Sequence, residues 1–253
     1  MTSLALCSAS GAPGVTTAAL ALAWVWPQVT DGRRVVLVDA DPSGSGLLGG
    51  ALQARVASDT GGLALAADTR NPDATDLLRR TVTLDEQGTR LVLPGISDPV
   101  QARSLATLWA ALPDLTVDLH RDGTDVIVDT GRLGHVHEPT GLLAEADVVA
   151  LLLSPTVPAT VATAAALRRL TATRAPRSVP VPVIVGERRP YTAHEVERAL
   201  GVPVASLAWD DRAADALGAG DGPSGRLDRS VLLRSARALA HELLAGLPAG
   251  VAP

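Results

Sequence analysis

Four short stretches of the chain hold residue types that can do chemistry together. The first is the turn Ser10-Gly11-Ala12-Pro13-Gly14-Val15-Thr16-Thr17, which leaves the apolar run Leu4-Ala5-Leu6-Cys7 and opens a helical pattern. A Gly-rich turn between a strand and a helix aims its backbone N–H groups and the positive end of the helix dipole at one spot, where a phosphate fits. Gly11 and Gly14 permit the tight turn and a close backbone approach. The hydroxyl of Thr16 stands where a phosphate-loop threonine reaches Mg²⁺. The second stretch, Asp39-Ala40-Asp41-Pro42, ends the apolar run Val35–Val38, and the third, Asp129-Thr130-Gly131, ends Asp125-Val126-Ile127-Val128. Acids at the carboxyl ends of buried strands project into the crevice where open α/β sheets bind ligands. The fourth runs from Trp209 through Asp210, Asp211 and Asp215 to Leu217 and comes after the run Val204–Leu207. Each stretch alone also has a plain structural reading, since Gly-x-x-Gly is a common βα turn and strand-end acids cap the next turn or helix.

Positioning these residues requires a sheet wrapped by helices. Short β-branched runs alternate with longer helical ones, the pattern of a parallel sheet. Strands are expected at 4–7, 35–38, 91–93, 125–129, 148–153, 181–185 and 204–207. Helices are expected at 16–26, stopped by Pro27, at 73–80, at 99–112, at 157–170, at 194–200 and, amphipathic, at 229–247. Thr130-Gly131 reads as a turn. No internal repeat or linker divides the chain, so one α/β domain over 1–253 is expected, with a mostly parallel sheet and helices on both faces.

The bulk composition agrees. Hydrophobic residues make up 47% and charged residues 19% of 253 residues, which excludes a disordered chain. A net charge of −5 gives no global attraction to nucleic acid or anionic membrane, and the single Cys7 excludes an internal disulfide. No apolar run reaches the roughly 20 residues of a membrane span, and the N-terminus lacks the basic start of a signal peptide. A cytoplasmic protein is therefore expected. All 22 basic residues are arginine, so no lysine can act anywhere in this chain.

Smaller signals have structural readings. His135-Val136-His137-Glu138 lacks the spaced partners of a metal site and reads as a polar loop. Trp24, Trp26, Trp109 and Trp209 read as core or interface anchors. Arg226, Arg229, Arg234 and Arg237 line the start of the last helix, whose Val231, Leu232, Ala236, Leu239, Leu243 and Leu244 suit packing on the sheet better than on a membrane.

Taken in order, these stretches resemble the MinD/ParA group of P-loop ATPases, in particular the pilus-assembly branch typified by CpaE and TadZ. The likeness covers almost the whole chain. Ser10 to Thr17 matches the Lys-Gly-Gly-x-Gly-Lys-Thr-Thr turn of that group, and Asp39 to Pro42 its Asp-x-Asp-Pro segment. Asp129 to Gly131 matches its Asp-Thr-Pro/Gly segment, Leu91 to Pro99 its Leu-Pro-Gly strand end, and Asp210 to Leu217 its Pro-x-Asp-x-x-x-x-Ala-Leu signature. The resemblance implies ATP and Mg²⁺ as cofactors, with Gly11, Ala12, Pro13, Gly14, Val15, Thr16 and Thr17 around the phosphates. It further implies Thr16, Asp39 and Asp129 in the Mg²⁺ shell, Asp41 orienting the attacking water, and a homodimer.

The departures matter as much as the matches. The loop lysine of the group falls on Val15 and its signature lysine on Ser10, while the asparagine that reads adenine falls near Gly186-Glu187. An electrostatic contact to the transferred phosphoryl group is worth ~3 kcal/mol or more, so its loss slows hydrolysis ~100-fold or more. The favoured reading is a weakly binding or non-hydrolysing localisation or assembly factor. It would serve a pilus, secretion or division machine through a protein partner and reach membrane or pole by recruitment. One alternative is a working ATPase in which a partner or an arginine such as Arg132, Arg188 or Arg189 supplies the cation. Another is a non-specific DNA-binding partition protein, against which the acidic charge argues.

Overall fold

A computed structural model describes residues 3–57, 60–69, 71–173, 180–186, 190–220 and 225–247. Glu187, Arg188, Arg189 and the segment 248–253 lie outside them. The chain runs β1 (Ser3–Ser8), α1 (Val15–Val29), β2 (Arg34–Asp39), α2 (Gly62–Asp68), α3 (Ala74–Arg79), β3 (Val82–Thr83) and β4 (Arg90–Leu93). It continues with a 3₁₀ segment (Pro99–Leu105), α4 (Ala106–Arg121), β5 (Thr124–Arg132), α5 (Thr140–Glu145), β6 (Val148–Leu153) and α6 (Val157–Thr173). The last part holds β7 (Val181–Val185), α7 (Ala193–Leu200), β8 (Ala205–Leu207), α8 (Asp211–Gly218), α9 (Gly225–Asp228) and α10 (Val231–Ala245).

The strands form one eight-stranded sheet in the order β3-β4-β2-β5-β1-β6-β7-β8, parallel except for the antiparallel edge pair β3/β4. Alternation along single strands shows why their apolar runs are continuous. In β2, Val35 and Leu37 join the core on one face of the sheet and Val36 and Val38 the core on the other. The first core takes its helical side from α1, α8, α9 and α10, and the second from α2 to α6. The strand order places β1 between β5 and β6, with β2 on the far side of β5, so the ends of β1, β2 and β5 meet. That is where the residues of interest cluster.

Several boundaries differ from the sequence reading. Pro27 does not stop α1, which runs on to Val29. The ring sits in the last turn, and the Thr30 hydroxyl donates to the Trp26 carbonyl (2.8 Å) to finish the helix. Pro113 likewise lies inside α4, which extends the expected 99–112 helix to Arg121 after a 3₁₀ start whose cap is Asp98. Thr130-Gly131 is not a turn but part of β5, which pairs with β1 as far as Arg132. The short elements α2, β3, α5, α8 and α9 fall outside the elements expected from the sequence. Val231, expected in the core, is half exposed at the start of α10.

Candidate functional site

The Gly-rich turn joins β1 to α1. Gly14 closes it at φ +88°, a left-handed conformation that side chains rarely adopt. No side chain caps α1 and no acid stands in its first turn. Among the described residues no hydrogen bond uses the N–H groups of Val15, Thr16 or Thr17. The helix start thus presents orphan donors and a positive dipole end, the arrangement that suits an anion. Val15, in the place of the loop lysine, is buried and packs against the first core.

Thr16 and three acids lie together beside this turn. The Thr16 hydroxyl donates to Asp129 Oδ2 at 2.6 Å, and the Gly131 N–H donates to Asp129 Oδ1 at 2.9 Å. Asp39 accepts from the Ser45 hydroxyl (2.7 Å) and, more distantly, from the N–H groups of Gly95 (3.3 Å) and Asp41 (3.4 Å). Asp41 is half-buried, and its carboxylate accepts from the Ser43 N–H (2.8 Å). The same carboxylate lies against Gly131, where an added Cβ would come within 2.2 Å of Asp41 Cγ. At φ +62°, Gly131 is strained for any other residue as well.

Burial sets the charge state of this group. It pushes the carboxyl of Asp39 up to about 7, helped by repulsion from Asp129 and opposed by the Ser45 hydroxyl. It pushes Asp129 up to about 6, opposed by Thr16 and the Gly131 N–H and aided by the charge of Asp41. Two ionised carboxylates this close and this dry call for a cation. A hydroxyl and two carboxylates are hard oxygen donors, the set with which Mg²⁺ is held when phosphates and waters complete its shell. Among the described residues no group of three or more His, Cys, Asp or Glu is placed to hold a metal alone.

The fourth stretch forms the neighbouring wall. Asp210 caps α8 by accepting from the Ala213 N–H (3.1 Å) and also accepts from the Val231 N–H (3.2 Å), tying α8 to α10. Trp209 differs from the other tryptophans. Trp24, Trp26 and Trp109 are buried, whereas Trp209 is 61% exposed, its indole N–H held by Asp211 at 2.8 Å. It stands between a small cavity of about 80 Å³ lined by Pro13, Gly14 and Thr17 and a larger one of about 780 Å³ lined by Ser154, Gly186 and Ser206.

The fold has solved counterparts. A ParA family ATPase from Chlorobium tepidum TLS superposes with a TM-score of 0.72 at 15% identity, over 95% of this chain and 97% of that one. MinD complexed with Mg-ADP from Pyrococcus horikoshii OT3 gives 0.72 at 20% identity, over 97% of both chains. The MinC:MinD cell division complex from Aquifex aeolicus gives 0.67 at 14% identity, over 97% and 96%. The chain has the MinD/ParA P-loop fold. No family model matches the sequence, and no curated protein does either. The cluster lies towards the carboxyl ends of the central strands, where open α/β sheets bind ligands.

Other candidate residues have settled structural places. The acids at the two ends of β5 have separate fates: Asp129 joins the cluster, while Asp125 is buried at the opposite end and accepts from Arg33 (3.0 Å) and the Trp26 indole (3.0 Å). Glu138, beside His135 and His137, is held by Arg169 at 3.2 Å and by the Gly134 N–H. The apolar side of α10 is covered by the core, and Arg237 bonds Gln28 of α1 (2.7 Å). No helix among the described residues is long and apolar enough to cross a membrane. Ser45 and Gly95, which hold Asp39, were not among the site residues expected from the sequence. The small residues after Asp41 and the Pro94-Gly95 strand end are the only signals for them.

Proposed function

We propose that this protein binds Mg²⁺ and an adenine nucleotide at the Gly-rich turn and uses them as a switch or structural ligand, with hydrolysis slow or absent. One observation carries the reading: the Thr16–Asp129 pair at 2.6 Å is kept beside a loop whose lysine position holds a buried valine. Thr16, Asp39 and Asp129 would hold the ion, and the N–H groups of Gly11, Ala12, Gly14, Val15, Thr16 and Thr17 the phosphates, with Pro13 shaping the turn. The ion would supply charge neutralisation between the acids and the phosphates. Asp41, whose carboxylate lies against Gly131, would orient a water, but without a loop cation little charge stabilisation would be available to the reaction.

A MinD/ParA-like protein of this kind acts by assembling with others. The proposed role is a localisation or assembly factor for a pilus, secretion or division machine, working as a homodimer with a protein partner that recruits it to membrane or pole. Complexes such as MinC:MinD support a partner-based role by fold analogy. The test pairs an ATP-turnover assay with light scattering in the presence and absence of Mg-ATP. Negligible turnover with nucleotide-dependent association is expected. ATP turnover at a rate typical of the MinD/ParA group would overturn the reading in favour of a working ATPase.

A further inference from the structure

A polyphosphate brought to the Gly-rich turn would meet Asp39, Asp41 and Asp129 and no lysine. One arginine is built into the edge of that turn. β5 passes through Gly131 at φ +62° and rejoins β1 with Arg132 opposite Ser8, after a register irregularity between Leu6 and Ser8. The Leu133 N–H then donates to the Ser8 carbonyl at 2.9 Å, locking the strand end. Ser8 leads directly into the Gly-rich turn, and paired strands lie about 4.8 Å apart, so the backbone of Arg132 is fixed beside the loop entrance.

The side chain of Arg132 is exposed, and its guanidinium has no hydrogen-bond or ion-pair partner among the described residues. Arg33, Arg90 and Arg169, by contrast, are each held by an acid: Asp125, Asp85 and Glu138. A guanidinium offers five N–H donors in a planar fork that matches phosphate oxygens, and it keeps its charge at any working pH.

We propose that Arg132 is the phosphate-binding cation of this site, a ground-state anchor that enters from the β5 side. It would hold the terminal phosphate of a nucleoside di- or triphosphate. The inference rests on the nucleotide reading above and adds the residue that makes a lysine-free loop able to bind. Because Arg132 enters from the β5 side and not from the helix start, it anchors the ligand without restoring the position occupied by Val15.

Calorimetric titration of the native chain, R132Q and R132K with Mg-ATP tests this. R132Q is expected to lose affinity about tenfold or more, as a charge-assisted hydrogen-bond pair is removed, while R132K keeps a larger share. The thermal melts of all three should coincide, since the side chain is exposed. Unchanged affinity in R132Q overturns the inference and leaves the nucleotide reading intact. Equal losses in R132Q and R132K also overturn the inference, because charge would not then be what the position supplies. No binding by the native chain removes the nucleotide reading and this inference together.

Discussion

Replacing Asp39 by asparagine should change how the metal-free protein responds to pH. The native carboxyl ionises near 7 because it is buried beside Asp129, whereas in the unfolded chain it ionises near 3.8. Between those values the native state holds a proton that the unfolded state has released, so raising the pH favours unfolding. The stability linked to this group is complete below 3.8 and is lost as pH rises through 7. The move from 3.8 to about 7 corresponds to at most about 4 kcal/mol. Asparagine carries no such penalty, so the stability of D39N relative to native should climb with pH by up to that amount. At about 2–4 °C per kcal/mol for a chain of this size, the relative Tm change is about 10 °C. The assay is thermal and urea unfolding of both proteins at pH 4.5 and pH 8 with chelator present. A stability difference that stays flat across that range would refute the argument, because Asp39 would then ionise normally in the folded protein. Adding Mg²⁺ at pH 8 should stabilise the native chain more than D39N, since the ionised pair then finds its counterion.

Three further substitutions probe other parts of the account. V15K should raise ATP turnover about 100-fold by returning a cation to the loop, measured as phosphate release; an unchanged rate would mean that the missing lysine is not what limits the chemistry. G131A should cost about 1–3 kcal/mol, because its Cβ would fall 2.2 Å from Asp41 Cγ at a left-handed φ. Part of that cost should disappear in the G131A/D41A double variant, and an equal cost in both backgrounds would deny the Asp41 contact. D125A should lower stability by about 3–5 kcal/mol in urea unfolding, as it strands Arg33 and the Trp26 indole N–H, with D129N far milder; similar losses would contradict the separate roles given to the two ends of β5.

Much of the fold was legible because the central strands are buried on both faces. Val35 to Val38, Val148 to Leu153 and Val181 to Val185 are apolar without interruption and bounded by turn residues. The candidate acids were legible for a related reason: Asp39 and Asp129 end the apolar runs Val35–Val38 and Val126–Val128 on the side where open α/β sheets bind ligands. The misreadings arise where tertiary contacts override local rules. Pro27 is accommodated in the last turn of α1, and Pro113 lies inside α4, where the core side of the helix continues past it. Gly131 suggested a turn, yet its missing side chain serves to let Asp41 approach within β5. The short helix Gly62–Asp68 carries too few residues for a periodic pattern, and it forms against Trp109, Leu105 and Leu108, which are distant in sequence. The hydrogen bond from Ser45 to Asp39 depends on how a Gly-rich segment folds back, which no spacing rule records.

A lysine-free loop with Thr16, Asp39 and Asp129 should still hold a nucleotide through Mg²⁺. Isothermal titration of the native chain with ATP and ADP, with and without Mg²⁺, tests it most directly. Micromolar binding that requires the ion is expected. Absence of heat at millimolar nucleotide, or binding indifferent to Mg²⁺, would contradict it.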